Sequence, residues 1–426
     1  MAIEYTHPSK QLVDALQRVY DYGMTTTSGG NISIKDEEGN IWITPSGIDK
    51  GTLTPADIMK VTPSGEKIGC HTPSCELPFH SEVYRRRPDV RVVLHAHSPS
   101  LVAFSLVGKC PDAAWVPGAE KICGKIVFSR YDIPGSISLG KIISEEFAKG
   151  ADSVMMENHG AVVCGKTIDE AFARFETLDF LARMQIQASG LTHAPVLPAE
   201  KCNCTPIKWE TFVPATASPA ECALRDSIVK FASRLYRQRL VYTGSLVIST
   251  QISGDDFLVT PQGFDPLKLA IADSVRVKEG RCEEGKTAAC FAKVCREIYA
   301  KCDWAHALIL TKSPNLMAFA CTASALDSRM IPESYIQLRD MPVVKFADFV
   351  ADPKKLIEKL TPATPVVIVE NFGVVAVGKN LTQAFDRLEV SDFTANCILL
   401  ARRLGTVKPI NQAQVDEIID TFKLPR

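Results

Sequence analysis

Residues 76–99 read ELPFHSEVYRRRPDVRVVLHAHSP. Residues 79–87 have the make-up of a helix, and Pro88 stops it because proline cannot continue a helical turn. Residues 90–97 are an apolar run of strand length that ends in His95-Ala96-His97. Residues two apart on a strand share a face, so the two imidazoles project together. Two imidazoles on one face at a strand end begin a divalent metal site, and Glu76 places a carboxylate ahead of the helix. The same pattern returns at residues 291–312, FAKVCREIYAKCDWAHALILTK, with the carboxylate and both imidazoles gone. The chain is therefore two copies of one fold, and only the first keeps the chemistry.

Working outward, residues 8–23 put Leu12, Val13, Leu16, Val19 and Tyr20 on one helical face, with Gly23 as the stop. TTTSGGNISIK is a glycine turn entering an alternating strand. Asp36–Asn40 is a hairpin turn, followed by the strand IWIT and the loop Pro45-Ser46-Gly47. Val154–Met156, the turn Glu157-Asn158-His159-Gly160 and the strand AVVCG lead to Thr167-Ile168-Asp169-Glu170, a capping box that opens a helix to about Ser189. The second half repeats this order, from a helix at 219–237 through YTGSLVIST, FLVTPQG and SPNLMAF to VVIVENFGVVAVGK. Gly30 and Gly244 stand 214 apart, Gly47 and Gly263 216, Pro99 and Pro314 215, and Gly165 and Gly378 213. An offset that steady over so many positions marks a tandem duplication. It predicts a catalytic domain over 1–190, a linker over 191–216, rich in Pro, Thr, Cys and Ala, and a second domain over 217–426.

The two copies control for each other. What both retain belongs to the scaffold; what only the first has is a candidate for chemistry. Glu76 corresponds to Phe291, His95 to Leu310, His97 to Lys312 and His159 to Phe372. His95, His97 and His159 are three of only eight histidines, and all three vanish from the second copy. Neutral imidazoles suit Zn²⁺, and three protein ligands leave a position open for substrate or water. The ligand set alone does not separate Zn²⁺ from Mn²⁺ or Co²⁺. Glu76 reads best as a general base beside the metal, with a fourth ligand or an ordinary surface carboxylate as the other readings. His80, four residues on, falls on the same helical face and reads either as a support for that site or as a plain pocket-wall or helix-face histidine. Ser28-Gly29-Gly30-Asn31 and Thr44-Pro45-Ser46-Gly47 are loops of backbone N–H groups and small hydroxyls that suit an anion. The linear offset pairs Asn31 with Ser245 and Ser46 with Gln262, while the glycines persist. Gly30 and Gly47 then read as structural, and Asn31 and Ser46 as the anion-site candidates.

Composition narrows the classes further. With 46% hydrophobic and 23% charged residues the chain is that of an ordinary globular protein, and a formal charge of −1 gives no basic field for nucleic acid or an anionic membrane. Arg85-Arg86-Arg87 reads as a solvated helix end. No apolar run is long enough for a transmembrane helix. The 14 cysteines are scattered, with Cys202 and Cys204 an isolated pair, and no secretory h-region opens the chain. That usage is expected of a reduced, cytoplasmic compartment.

GGNIS (29–33), TPSG (44–47), the Glu76 loop, HAHSP (95–99) and ENHG (157–160), in this order, resemble the class II aldolase/adducin family. The full motif set spans about residues 8–190, and the frame alone spans 219–405. The resemblance implies an α/β fold of two tandem three-layer α/β/α domains, each around a mainly antiparallel sheet. It implies one zinc per chain, in the first domain, held by His95, His97 and His159, with Glu76 as the acid/base. It implies a phosphate site of Asn31, Ser46, Gly47 and Ser74, with Gly30 in the turn. The reaction implied is cleavage of a C–C bond in a ketose phosphate, or a related hydroxy-keto compound, through a zinc-stabilised enediolate.

Three departures qualify this. Ser74-Cys75 stands where the aldolases usually have two serines. The tyrosine that serves as proton donor in the family falls near Trp115–Val116, leaving Tyr131, or Tyr335 of the second domain, as substitutes. The family's 4-epimerases carry aspartate at position 76. Decarboxylase or epimerase chemistry on the same metal site, and a non-catalytic adducin-like scaffold, are the competing readings. A scaffold of that kind would carry a long basic tail, whereas this sequence ends at Arg426. Family members are commonly fourfold tetramers, so a tandem chain is expected to form a homodimer, a pseudo-tetramer of domains. Its expected partner is a small molecule, a sugar phosphate.

Overall fold

The computed structural model describes residues 6–191, 195–196, 208–322 and 324–424. Cys202 and Cys204 lie outside them, as does much of the linker segment. The chain divides into two compact units, one of residues up to 113 with 119–183, the other of 114–118 with 184 onward.

The first unit is built on eight strands: β1 (Asn31–Lys35), β2 (Ile41–Ile43), β3 (Met59–Val61), β4 (Lys67–Ile68), β5 (Val92–Ala96), β6 (Ile126–Ser129), β7 (Ser153–Met156) and β8 (Gly160–Gly165). They form one sheet in the order β4-β3-β2-β1-β5-β8-β7-β6. Every pairing is antiparallel except that of β6 with β7. Six helices accompany it: α1 (Pro8–Asp21), α2 (Leu77–Arg86), α3 (Pro99–Leu106), α4 (Ala119–Cys123), α5 (Ile137–Ala148) and α6 (Ile168–Ala188). In α1, Leu12, Leu16 and Val19 are fully buried at helical spacing. Pro8 sits at its first position, where a missing N–H costs nothing, and the His7 ring accepts from the Ser9 N–H.

Helices α2 and α5 pack on each other over one face of the sheet. Phe79, Val83 and Tyr84 of α2 and Leu139, Ile143 and Phe147 of α5 close on Val93, Val154, Met156, Val162 and Cys164. Each such large side chain contributes roughly 1.5–3 kcal/mol by leaving water. Helices α1 and α3 contact the sheet as well, and the unit is a three-layer α/β/α sandwich. His95 follows Val93 by two residues, so it shares the face that carries this core. The charges expected at the end of α2 are paired, Arg85 with Glu82 and Arg87 with Asp89.

The second unit rebuilds the same sheet. Its strands are β9 (Glu210–Phe212), β10 (Val247–Ser253), β11 (Asp256–Val259), β12 (Val275–Lys278), β13 (Arg281–Glu283), β14 (Ala307–Thr311), β15 (Val343–Val344), β16 (Val366–Val369) and β17 (Gly373–Gly378). Read from β13 to β15 their order is β13-β12-β11-β10-β14-β17-β16-β15, the first sheet strand for strand. The ninth, β9, pairs parallel with β13 at the edge. It lies inside the segment read as a linker. Edge pairing is a tertiary event, so a Thr- and Pro-rich stretch gives no periodic sign of it.

Register corrects one equivalence read from linear offsets. Asn31 sits opposite His95 between β1 and β5, and Val247 sits opposite Leu310 between β10 and β14. Since Leu310 takes the place of His95, Asn31 corresponds to Val247, not Ser245. The glycine turns ahead of these two strands therefore differ by two residues in length, which a residue-by-residue offset carries forward as an error. Other equivalences hold to the backbone. Glu76 and Phe291 cap their helices at φ −90°, ψ 4° and φ −92°, ψ 9°, and Asn158 and Asn371 both turn left-handed, at φ 54° and 56°.

Candidate active site

The site is assembled where β5 ends. His95 is its last-but-one residue and is fully buried. Its Nδ1–H donates to the Ala161 carbonyl of β8 over 2.9 Å, which fixes the ring and turns the Nε2 lone pair inward. His97 follows on the same side, with its Nε2 at 2.8 Å from that of His95. His159 comes from the β7–β8 turn. The three rings form a near-equilateral triangle, with centroids 4.7, 4.8 and 4.9 Å apart. One nitrogen from each lies within 4.8 Å of the others.

Two glycines make this approach feasible. A Cβ on Gly29 would come within 2.8 Å of His97 Nδ1, and one on Gly160 within 2.8 Å of the Ala96 carbonyl and 3.2 Å of His97 Cδ2. Asn158 supplies the left-handed turn that precedes Gly160, a conformation asparagine tolerates. ENHG is thus a turn that delivers one imidazole and clears space for another.

Glu76 faces the triangle. Its Oε2 is 3.4 Å from His95 Nε2 and its Oε1 3.6 Å from His159 Nε2. Oε2 accepts from Asn31 Nδ2 at 2.6 Å. Oε1 is buried with no hydrogen-bond partner, and such an atom calls for a ligand. Burial pushes the Glu76 carboxyl above the usual carboxylate range, against the pull of the Asn31 bond. Burial, then the facing His97 and His159 rings, hold His95 well below the ordinary imidazole value. Burial and His97 push His159 down to about 4. Three imidazoles whose nitrogens gather within 4.8 Å and one bare carboxylate oxygen form a donor set that fits a divalent metal.

Behind Glu76 runs a chain of hydrogen bonds. His80, fully buried, contacts Asn31 Oδ1 through Nε2 at 2.5 Å and Ser33 Oγ through Nδ1 at 2.6 Å. Ser33 Oγ is 2.7 Å from Tyr84 OH. Burial holds His80 down to about 3, so the ring is neutral. An amide oxygen only accepts, so His80 Nε2 carries the proton. Asn31 is left with its NH₂ end toward the carboxylate. His80 is thereby a support for Asn31, one of the two readings its spacing from Glu76 allowed.

The remaining candidates have distinct places. Ser74 is buried, and its Oγ accepts from the Glu76 N–H at 3.3 Å. Ser46 is exposed in the loop after Pro45, and its N–H donates to the Thr72 carbonyl. Gly47 takes φ +71° with open space where a Cβ would be. Gly30 takes φ +72°, and a Cβ there would meet the His95 carbonyl at 2.9 Å, so it is a close-approach glycine under β5. Tyr131 is exposed, its N–H held by Glu157. Tyr335 is half-buried in the second unit with the Arg339 guanidinium over its ring.

Sequence reasoning missed Lys50. Its ammonium is buried and donates to the Pro45 carbonyl at 2.6 Å, beneath the Pro45–Gly47 loop. A lysine beside Asp49 carries no sign of burial in a linear reading. A second group, Asp57, Cys70 and His71, also gathers within 4.8 Å. His71 Nε2 bonds Asp57 Oδ1 at 2.8 Å. In the second unit Lys286 stands in the place of His71 and donates to carbonyls of the matching turn. A cationic or polar donor at that place in both units marks it as scaffold.

In the second unit the counterparts of these candidates share one cavity. One cavity there is lined by Val247, Gln262, Gly263, Ala289, Phe291, Leu310, Lys312 and Phe372. These are the counterparts of Asn31, Ser46, Gly47, Ser74, Glu76, His95, His97 and His159. Aromatic packing stands where the first unit has its imidazoles and carboxylate: Phe291 and Phe372 are 5.0 Å apart, with Phe346 stacked and Phe349 tilted against Phe372. By contrast, the Ser98–Asp179 hydrogen bond recurs as Ser313–Asp392. It ties the segment after β5 or β14 to the long helix, and belongs to the scaffold.

Comparison with known proteins agrees with this twofold build. The L-fuculose phosphate aldolase of Methanococcus maripaludis (strain S2) is 35% identical over 182 residues, 42% of this chain and 97% of its own. The 5-methylthioribulose-1-phosphate/5-deoxyribulose-1-phosphate aldolase of Rhodospirillum rubrum is 27% identical over 47% of this chain and 90% of its own. The 3-oxo-tetronate 4-phosphate decarboxylase of Escherichia coli O6:H1 is 31% identical over 39% of this chain and 79% of its own. The solved L-fuculose-1-phosphate aldolase of Thermus thermophilus covers 44% of this chain and 98% of its own at 22% identity, with a TM-score of 0.38. The model of the class II aldolase and adducin N-terminal domain matches residues 10–186 and again 226–399. Two matches over most of the chain, each on one sheet of the same strand order, mean that the chain belongs to the class II aldolase/adducin family as a tandem pair.

Proposed function

We propose that the chain is a metal-dependent lyase of the aldolase type, with one active site per chain, in its first unit. The observation that carries this is the bare Oε1 of Glu76, buried and aimed at three inward-facing imidazoles. His95, His97 and His159 would hold the metal, with zinc as the preferred ion. A metal there supplies Lewis-acid stabilisation of the negative charge that C–C cleavage leaves on oxygen. Glu76 takes and returns the proton, its carboxyl raised toward working pH by burial. Asn31 donates to Glu76 and holds it in place. Ser46, Gly47 and Ser74, with the Lys50 ammonium beneath their loop, face the anionic end of the substrate.

The substrate class we infer is a ketose phosphate. Support comes from the L-fuculose phosphate and 5-methylthioribulose-1-phosphate aldolases among the similar proteins. The decarboxylase among them shows that one family hosts a second reaction, so the test must separate the two. The catalytic domain is residues 1–190 and the second domain 217–426. The assembly we propose is a homodimer, four domains in all, acting in the cytoplasm; sedimentation analysis checks its mass.

Two measurements decide. Metal analysis of the purified chain should give about one zinc per chain, and none after His95→Ala/His97→Ala. Product analysis by NMR on a panel of ketose phosphates and keto acid phosphates should show an aldehyde and a three-carbon phosphate. Release of carbon dioxide without an aldehyde would replace aldolase by decarboxylase, and a native chain free of metal would overturn both.

A further inference from the structure

We propose that the second unit carries a binding site for a small molecule with a guanidinium head, in a cavity between the β10–β11 hairpin and the helix Ala292–Lys301. The cavity has a volume of about 670 Å³, the size of a small-molecule site. Gln251, Asp255 and Phe257 line it from the hairpin, and Glu297, Tyr299 and Ala300 from the helix. It is distinct from the place where the active site was lost. Val247, which lines that place, precedes Gln251 by four residues on β10, roughly 13 Å along an extended strand.

The equivalent helix of the first unit, α2, shows what is missing. Its cap Glu76 matches Phe291, so Glu82 matches Glu297 and Arg85 matches Ala300. A tertiary bond keeps the same register: Tyr84 to Ser33 recurs as Tyr299 to Ser249. In the first unit the Arg85 guanidinium holds the Glu82 carboxylate with two nitrogens, Nε to Oε1 at 3.1 Å and Nη2 to Oε2 at 2.7 Å. In the second unit alanine replaces that arginine and the carboxylate remains. Glu297 Oε2 is buried with no hydrogen-bond partner among the described residues, and a buried acceptor in that state calls for a donor. Arg296 beside it is no substitute, because its Nε is committed to Asp255 Oδ1 at 2.6 Å and its Nη2 to Asp255 Oδ2. Glu297 and Ala300 both line the cavity, so the space beside the truncated side chain adjoins the carboxylate it would have held. A ligand guanidinium, planar and with paired N–H groups, restores that two-nitrogen contact. Phe257 and Tyr299, rings edge to face at 5.7 Å, give its apolar stem an aromatic wall. Lys293 also lines the cavity and is exposed, which disfavours a second positive charge at the far end of the ligand.

Isothermal titration calorimetry of the full-length chain with L-arginine tests this, with L-citrulline, its uncharged near-isostere, as the control ligand. L-Arginine should bind at one site per chain, and L-citrulline at least about tenfold more weakly, the factor for one charged hydrogen bond. Glu297→Gln should weaken arginine binding by about the same factor. Ala300→Arg rebuilds the internal pair of the first unit and should abolish binding. His95→Ala/His97→Ala should bind arginine as the wild-type chain does, which reads this site apart from the first unit. Melting of each variant without ligand, followed by circular dichroism, certifies its fold. No binding of arginine to the wild-type chain, equal binding of arginine and citrulline, binding unchanged in Glu297→Gln or in Ala300→Arg, or binding lost in a folded His95→Ala/His97→Ala chain would each overturn the proposal.

Discussion

Asn31 Nδ2 donates to Glu76 Oε2 over 2.6 Å, and the sense of that bond is imposed from behind. His80 must donate to Asn31 Oδ1, so the amide cannot flip. Ser33 and Tyr84 hold the far side of the His80 ring. Replacing Asn31 by Ala removes the side-chain hydrogen bond to the carboxylate and leaves His80 Nε2–H without an acceptor. We expect kcat for C–C cleavage to fall roughly ten- to a hundredfold, the cost typical of losing a supporting partner behind a metal site. Zinc content should stay at the wild-type level. An Asn31→Ala chain that loses its zinc would instead make Asn31 a support of the metal ligands.

Metal removal should be visible in stability. A metal that binds the folded chain and not the unfolded one stabilises it by RT ln(1 + [L]/Kd), about 4 kcal/mol at a thousandfold excess over Kd. Chelation should therefore lower Tm of the wild-type chain by several degrees. His159→Ala, which removes one of the three nitrogens, should have a lower Tm at the outset and respond little to the chelator. Differential scanning calorimetry with and without EDTA compares the two, and an equal response in both would remove His159 from the ligand set.

The histidine triangle was legible because the chain contains its own control. Leu310, Lys312 and Phe372 hold the backbone of His95, His97 and His159 without the chemistry, so loss of residue type could be read without loss of fold. Strands β1, β5 and β8 were legible too, since alternation and short apolar runs are local signals. The role of Asn31 was not. Its partner Glu76 is 45 residues away, and its true counterpart Val247 was hidden by turns of unequal length. An amide bound to a carboxylate looks in a sequence like an amide waiting for an anion. Burial of Lys50 and pairing of β9 are likewise set by what folds over them, which no linear pattern records.

The buried His80 makes a prediction about acid. Its folded value is about 3 against 6.5 for an unperturbed imidazole. Between those values the unfolded chain binds a proton that the folded chain refuses. Stability is thus fully present above pH 6.5 and is lost as pH falls toward 3, with a slope of up to ~1.4 kcal/mol per pH unit from this residue. His80→Gln keeps a polar group and does not titrate. Urea unfolding of both chains between about pH 4 and 7 should show the wild-type chain losing stability faster as pH falls. Parallel curves would mean that His80 is protonated, or opened to water, in the folded chain.

Gly160 and Gly373 make the last prediction, because they are one position in two units with different duties. Both have positive φ, 151° and 156°, and both lie against the strand that carries the site. A Cβ would come within 2.8 Å of the Ala96 carbonyl at Gly160 and within 2.6 Å of the Thr311 carbonyl at Gly373. Neither carbonyl is a flexible side-chain end, so the turn itself must move, and alanine at either position should cost on the order of 1–3 kcal/mol. The consequences diverge at the neighbour. Gly160→Ala presses on His97, whose Cδ2 would be 3.2 Å away, and displaces His159 next to it; Gly373→Ala presses on Lys312. Both chains should melt at lower temperature by a similar amount, but only Gly160→Ala should bind zinc at least about tenfold more weakly. Equal zinc affinity in the two would mean that the imidazole triangle tolerates movement of the turn, and that Gly160 serves the strand alone.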